Sequence, residues 1–152
     1  MDNSGERRIV VGVDGSQHSE HALRWGAYLA AALQARLDAV AAWEYPPSFG
    51  WAAVAPEWDP AADMATILDD TVRAVFGAEP PPGLQRLVRE GGAAAVLLSE
   101  CEGATMLVVG SRGHGGFAGL LLGSVSAKVA EHTSCPVLII HGDQLPPPVQ
   151  QG

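Results

Sequence analysis

Apolar residues along the chain fall into two kinds of run, and the two kinds alternate. Ile9-Val10-Val11-Gly12-Val13, Leu37 to Trp43, Met106 to Val109 and Val137 to Ile140 are short and nearly unbroken. Such runs suit strands of a parallel sheet covered on both faces. Strands are therefore expected at 8–13, 37–43, 106–109 and 137–140, with a weaker edge strand at 84–89. The intervening segments carry apolar groups at helical spacing. Ala22, Trp25, Gly26, Leu29, Ala30 and Leu33 predict a helix over 19–35, with Ser16 or Ser19 as its N-cap. Met64, Ile67, Leu68, Val72 and Val75 predict another over 63–76, stopped by Gly77 and Pro80-Pro81-Pro82. Shorter helices are expected at 93–101, after Glu90-Gly91-Gly92, and at 124–132. Residues 44–62, with four prolines, Gly50, Trp51 and Trp58, read as a long irregular loop of the kind that forms lids or contact surfaces.

Strand and helix alternate through to a fifth strand. That order argues a single doubly wound α/β domain, Rossmann-like, with a five-stranded parallel sheet and helices on both faces. The domain is expected over 8–141, with a disordered lead-in at 1–7 and a Pro-rich disordered tail at 142–152. In such sheets a ligand sits beyond the strand C-termini, where the strand order reverses. The fold class carries the expectation of order 3-2-1-4-5, which puts the first and fourth strands side by side at that reversal.

Composition narrows the function. A chain of 152 residues suits one domain with its own core. The net charge of −8 argues against nucleic acid or an anionic membrane as the main partner. Lys128 is the only lysine, so an anion site must rely on backbone N–H groups, hydroxyls and Arg112. Cys101 and Cys135 lack CxxC or zinc spacing and are expected to be reduced and structural. MDNSGERR has no signal-peptide core and no apolar run is long enough to span a bilayer, so a soluble cytoplasmic protein is expected.

The stretch LVVGSRGHGGFAGLLLGSVS, residues 107–126, carries the clearest candidate chemistry. A buried strand ends at Gly110, Gly113, Gly115 and Gly116 follow, and Gly123-Ser124-Val125-Ser126 opens a helix. Successive N–H groups in such a loop form an anion-binding concavity, and the helix start adds free N–H groups and partial positive charge. Ser124 and Ser126 can cap that helix or donate hydroxyls to phosphate, and Arg112 and His114 can reach it too. Read without further context, such a glycine cluster more often marks only a tight turn than a phosphate site. The stretch is neither a Walker A loop nor GxGxxG. His114-Gly115-Gly116 faintly matches a lipase oxyanion motif, but no Gly-x-Ser-x-Gly elbow exists.

The spacing Gly110-x2-Gly113-x9-Gly123-Ser124 resembles the ATP-binding signature of the universal stress protein family, G-x2-G-x9-G-[S/T]. The resemblance spans roughly residues 7–141 and is strongest at the end of the first strand and in the C-terminal third. It implies an adenine nucleotide alpha hydrolase-like fold and the family's ATP-binding branch. It implies that Gly12, Val13 and Asp14 line the nucleotide site and that the second strand near Ala41-Ala42 borders the adenine. The phosphates would fall to Gly110, Ser111, Arg112, Gly113, His114, Gly115, Gly116, Gly123, Ser124, Val125 and Ser126. It also implies a homodimer through the Val137–Ile140 edge strand, a regulatory output in the stress response and an unknown protein partner. Thr105 departs from the family, which often has an acidic residue before the fourth strand. Paired-histidine nucleotidyl transferases share the fold, but Asp14-Gly15-Ser16 stands where their histidines fall. Asp14 itself suits either a ligand contact or a turn that caps the first helix. With no general base or nucleophile beside the loop, no catalytic residue or protein metal cage is expected. Magnesium or manganese would bridge the phosphates, with Asp14 as an outer partner and at most slow hydrolysis.

Overall fold

The computed structural model describes residues 6–45, 58–112 and 122–147. The elements run β1 (Arg8–Gly12), α1 (Gln17–Leu33), β2 (Arg36–Trp43), α2 (Pro60–Phe76), β3 (Gln85–Glu90), α3 (Ala93–Glu100), β4 (Met106–Gly110), α4 (Ser124–His132) and β5 (Val137–Ile140). The five strands form one sheet in the order β3-β2-β1-β4-β5, and every pairing is parallel. The expected doubly wound α/β fold and strand order are therefore present.

The unbroken apolar strands are explained by two cores, one on each face. Ile9, Val11 and Val13 meet Ala22, Leu23 and Ala30 of α1 and Leu68 and Val72 of α2. Val10, Leu107 and Val109 meet Val96 and Leu97 of α3 and Val129 of α4. Successive strand side chains point to opposite faces, so the inner strands carry apolar residues toward both cores.

Two helix starts differ from the sequence expectation. The α1 helix begins two residues early, because Ser16 and not Ser19 caps it: the Ser19 N–H donates to Ser16 Oγ at 3.2 Å. The α2 helix begins at Pro60, inside the stretch expected to be loop. Pro60 is no breaker there. At the first helical turn its missing N–H would be unpaired anyway, and Asp59 before it caps the helix by accepting from the Ala62 N–H at 3.1 Å. Most of the expected 44–62 loop lies outside the described residues. Its two ends meet through Trp43, Tyr45 and Trp58, edge-to-face at centroid distances of 5.4 and 5.5 Å.

Asp38 is a buried charge that the apolar reading of β2 passed over. It is 1% exposed. Arg36 grips it with Nε at 2.8 Å and a second nitrogen at 3.1 Å, and Arg8 approaches to 3.9 Å. The hydrogen bond to Asp38 raises the Arg36 pKa, partial burial opposes it, and the charges of Asp38 and Glu6 add to the rise. Arg8 also donates to the Glu100 and Glu102 carbonyls, capping the end of α3, and its N–H donates to Thr105 Oγ1 at 3.3 Å. Thr105, the departure from the family pattern, thus helps join β4 to β1. These charges all sit at the N-terminal edge of the sheet, away from the strand C-termini. After β5 the chain passes over α1, where Trp25 Nε1 donates to Gln144 O at 2.9 Å.

The contact of α1 with β1 depends on Gly26. A Cβ there would lie 2.4 Å from Val11 Cγ2, a β-branched side chain with little freedom to move. Replacing Gly by Ala gains roughly 1 kcal/mol of helix propensity, but overpacking costs about 1–3 kcal/mol. Gly26→Ala should therefore lower the unfolding free energy in urea by roughly 1 kcal/mol. A variant more stable than the parent would show that α1 can slide on the sheet.

Candidate functional site

A cleft opens at the C-terminal edge of the sheet between β1 and β4, the point where the strand order reverses. It is lined by Gly12, Val13, Asp14, Ser19, Val40, Ala42, Ala93, Leu97, Val109, Gly110, Arg112, Gly123, Ser124, Val125 and Ser126. The space between these residues, open mouth included, is about 720 Å3. The turn at Asp14 and the segment at Arg112, 98 residues apart in the chain, meet here because β1 pairs directly with β4.

The cleft has two unlike sides. Val40, Ala42, Ala93 and Leu97 form an apolar slot between the ends of β2 and β1 and the start of α3. Leu97 packs so closely on β1 that a Cβ at Gly12 would lie 2.8 Å from it. The other side carries Asp14, Arg112 and Ser124. The α3 and α4 helices both start at the cleft, and neither has a side-chain cap. Their first N–H groups and the associated partial positive charge therefore face the space where an anion would sit.

Asp14 fills the structural role read for it. Its Oδ1 accepts from the Ser16 N–H at 2.9 Å and the Ser16 hydroxyl at 2.5 Å, which fixes the turn into α1. The same residue lines the cleft, so its turn role leaves it at the site.

Gly110 is required by packing. A Cβ there would lie 2.8 Å from His18 Cβ and 2.9 Å from the His18 carbonyl oxygen. The second of these is backbone, so the first turn of α1 would have to move. Beyond it, Ser111 acts as a clasp. Its N–H donates to Ile140 O at 2.8 Å, and its carbonyl accepts from Gly123 N at 2.6 Å and from Ser126 Oγ at 2.8 Å. The two ends of the glycine-rich segment are thereby held together. Ser111 is buried and does not border the cleft. Ser126 lines it, but its hydroxyl is turned to the Ser111 and Gly123 carbonyls. Neither Ser124 nor Ser126 caps α4; Gly123 occupies that position. Ser124 is exposed at the cleft. Gly113, His114, Gly115 and Gly116 lie outside the described residues.

Of the two β2 alanines expected to border a base, only Ala42 lines the cleft. Ala41 points to the opposite face, into the core beneath α1 and α2. The period of two along a strand forces that separation. Sequence reading missed Ser19, Val40, Ala93, Leu97 and Val109. For Val40 and Val109 the alternation along the strands was a usable signal; Ala93 and Leu97 depend on where α3 docks.

Comparison with known proteins agrees with this geometry. The model of the universal stress protein family matches residues 6–141. A universal stress protein of Mycolicibacterium smegmatis is 31% identical over 137 residues, covering 87% of this chain and 45% of its own length. The chain spans about half the length of the first curated relatives it matches. One from Thermus aquaticus is 31% identical over 137 residues, covering 88% of this chain and 98% of its own. A solved universal stress protein in complex with cAMP is 30% identical, with a TM-score of 0.66, covering 90% of this chain and 97% of that one.

The clasp can be tested by itself. Ser126→Ala removes the donor to two carbonyls and should cost roughly 1 kcal/mol of unfolding free energy, read by urea denaturation. A neutral effect would mean that the Gly123–Ser111 hydrogen bond alone holds the loop ends.

Proposed function

The chain belongs to the universal stress protein family, and from that premise we propose that it is a nucleotide-binding module whose ligand is ATP and whose output is regulatory. The observation that carries the reading is the two-sided cleft. An apolar slot beside a pair of uncapped helix starts is matched by a molecule with a flat apolar base at one end and phosphates at the other. The relative solved with cAMP holds an adenine nucleotide, which supports the same class of ligand here.

In this reading Val40, Ala42, Ala93 and Leu97 take the adenine, and the backbone at Gly12 and Val13 borders it. Asp14 accepts from a ribose hydroxyl while keeping its hold on Ser16. Gly110, Arg112, the N–H groups of Gly123 to Ser126 and the Ser124 hydroxyl take the phosphates, and Gly113, His114, Gly115 and Gly116 extend the cradle. Ser111 supports them from behind. A magnesium or manganese ion fits as a bridge between phosphate oxygens, because such ions keep most of their shell as phosphate and water and need one or two carboxylates. Asp14 is the one carboxylate among the described lining residues, and Ser16 already engages it. That favours holding the nucleotide over turning it over, with hydrolysis at most slow.

The assembly reading rests on the sheet edges. The β3 edge carries Gln85, Arg86, Arg89 and Glu90, side chains that discourage strand addition. The β5 edge is Val137-Leu138-Ile139-Ile140, with three of the four residues only partly buried. We place a two-fold dimer contact there. Among the described residues no helix is long and apolar enough to cross a membrane, and the reading is completed by a cytoplasmic setting and a protein partner that senses the occupied cleft.

The test is to purify the protein without added nucleotide, denature it and separate the released small molecules by ion exchange. A near-stoichiometric adenine nucleotide is expected, as is calorimetric binding of Mg-ATP to the emptied protein. Asp14→Asn, which keeps an oxygen for Ser16, should weaken binding about tenfold through loss of a charged acceptor, with the melting temperature unchanged. An empty supernatant together with no heat on titration with Mg-ATP would overturn the reading in favour of a nucleotide-free scaffold.

A further inference from the structure

The two cysteines, unrelated by sequence motif, are brought together at the edge of the sheet opposite the cleft. Cys101 ends α3 and is fully buried. Cys135 lies in the turn from α4 to β5 and is partly exposed. Both thiols are free. Each sulfur lies 3.7 Å from the same atom, Thr133 Oγ1. Thr133 is itself pinned: its hydroxyl donates to the Cys135 carbonyl at 2.7 Å and accepts from the Cys135 N–H at 3.1 Å. Burial pushes the Cys135 thiol pKa up, the Thr133 hydroxyl pulls it down, and the Cys101 thiol beside it pushes it up again. Cys101 Sγ further lies 4.0 Å from Ser134 Oγ. The side chains therefore share one small polar niche, one sulfur reachable from solvent and the other behind it.

We propose that Cys101 and Cys135 are a redox pair that closes to an intrachain disulfide when the protein meets a low-molecular-weight disulfide such as oxidised glutathione. Exposure sets the order of events. The Cys135 thiolate attacks one sulfur of the oxidant, forming a mixed disulfide and releasing one glutathione thiolate. The Cys101 thiolate then attacks the Cys135 sulfur and releases the second. Two protein thiols are oxidised, one glutathione disulfide is reduced, and the two thiol protons end on the two released glutathiones.

The position gives the bond a consequence. It would tie the end of α3 to the turn leaving α4. Those same helices present their opposite ends, Ala93 and Leu97 from α3 and Ser124 and Val125 from α4, to the cleft. The closed loop, residues 101–135, contains the whole glycine-rich segment. The staple therefore restrains both helical walls of the site from behind. The proposal does not depend on which ligand the cleft holds.

The experiment uses the full chain. After incubation with oxidised glutathione, remaining thiols are blocked with N-ethylmaleimide under denaturing conditions and the protein is digested with trypsin. The expected product is a reducible link between the peptides 90–112 and 129–152 in a monomeric chain. The melting temperature should rise by roughly 10 °C on closure of a loop of this size, and dithiothreitol should reverse it. Cys101→Ser should stop at a stable glutathione adduct on Cys135, and Cys135→Ser should leave Cys101 unmodified. Wild-type protein that accumulates the Cys135 adduct with Cys101 still open to N-ethylmaleimide, or that forms disulfide-linked dimers, would overturn the proposal.

Discussion

The parallel pairing of β1 with β4 is the constraint on which the rest of the structure depends. Ile9, Val10 and Val11 stand beside Met106, Leu107 and Val108. Helices leave these two strands on opposite faces of the sheet, so the chain ends diverge at their C-terminal edge and leave a crevice between them. The pairing alone would not hold the crevice in shape. The α1 helix must also cross β1 closely enough for its first turn to rest on Gly110, and Gly26 and Gly110 make that approach possible by lacking a Cβ. The turn at Asp14 and the clasp at Ser111 are then fixed relative to each other.

The two edges of the sheet do different work. At the N-terminal edge the polar groups are consumed internally: Asp38 by Arg36 and Arg8, the α3 carbonyls by Arg8, and the Thr105 hydroxyl by the first N–H of β1. A buried carboxylate must be paired and hydrogen-bonded to persist, and this one is. At the C-terminal edge the starts of α3 and α4 lack side-chain caps and face open space. Parallel βαβ geometry imposes this asymmetry, since every helix begins where a strand ends. Paired charges lie at one edge and the two uncapped helix starts at the other. The cysteine pair belongs to the first edge, yet the helices that bear on it also wall the second.

Two residues of the glycine-rich stretch, Gly110 and Ser126, have structural duties of their own. Gly110 is demanded by the His18 backbone, and Ser126 spends its hydroxyl on two carbonyls. Motif and packing are therefore not rival explanations. A loop that must bring N–H groups to a phosphate has to be anchored at both ends, and the anchor draws on the same short stretch of sequence. Asp14 shows the same economy, shaping the turn with one oxygen while its residue borders the cleft.

Strand and helix identity, fold class and the turns that follow β1 and β4 were legible in the chain, because each rests on local period or local turn chemistry. Unbroken apolar runs can be covered only on two faces, and Gly12-Val13-Asp14 and Gly110 follow such runs directly. Local signals failed where one residue type serves two opposite ends. Pro60 reads as a breaker or as a helix start, and Asp59 capping it decided the matter. What only the tertiary structure decided is which groups meet across the fold. Asp38 needed Arg36 and Arg8 to be tolerable in a core strand, Ala42 rather than Ala41 faces the slot because of the pleat and the docking of α3, and Cys101 meets Cys135 because α3 and α4 pack side by side. Even where the pleat has a period of two, which groups it meets does not, since contacts between distant segments are set by register and helix docking, not by spacing along the chain.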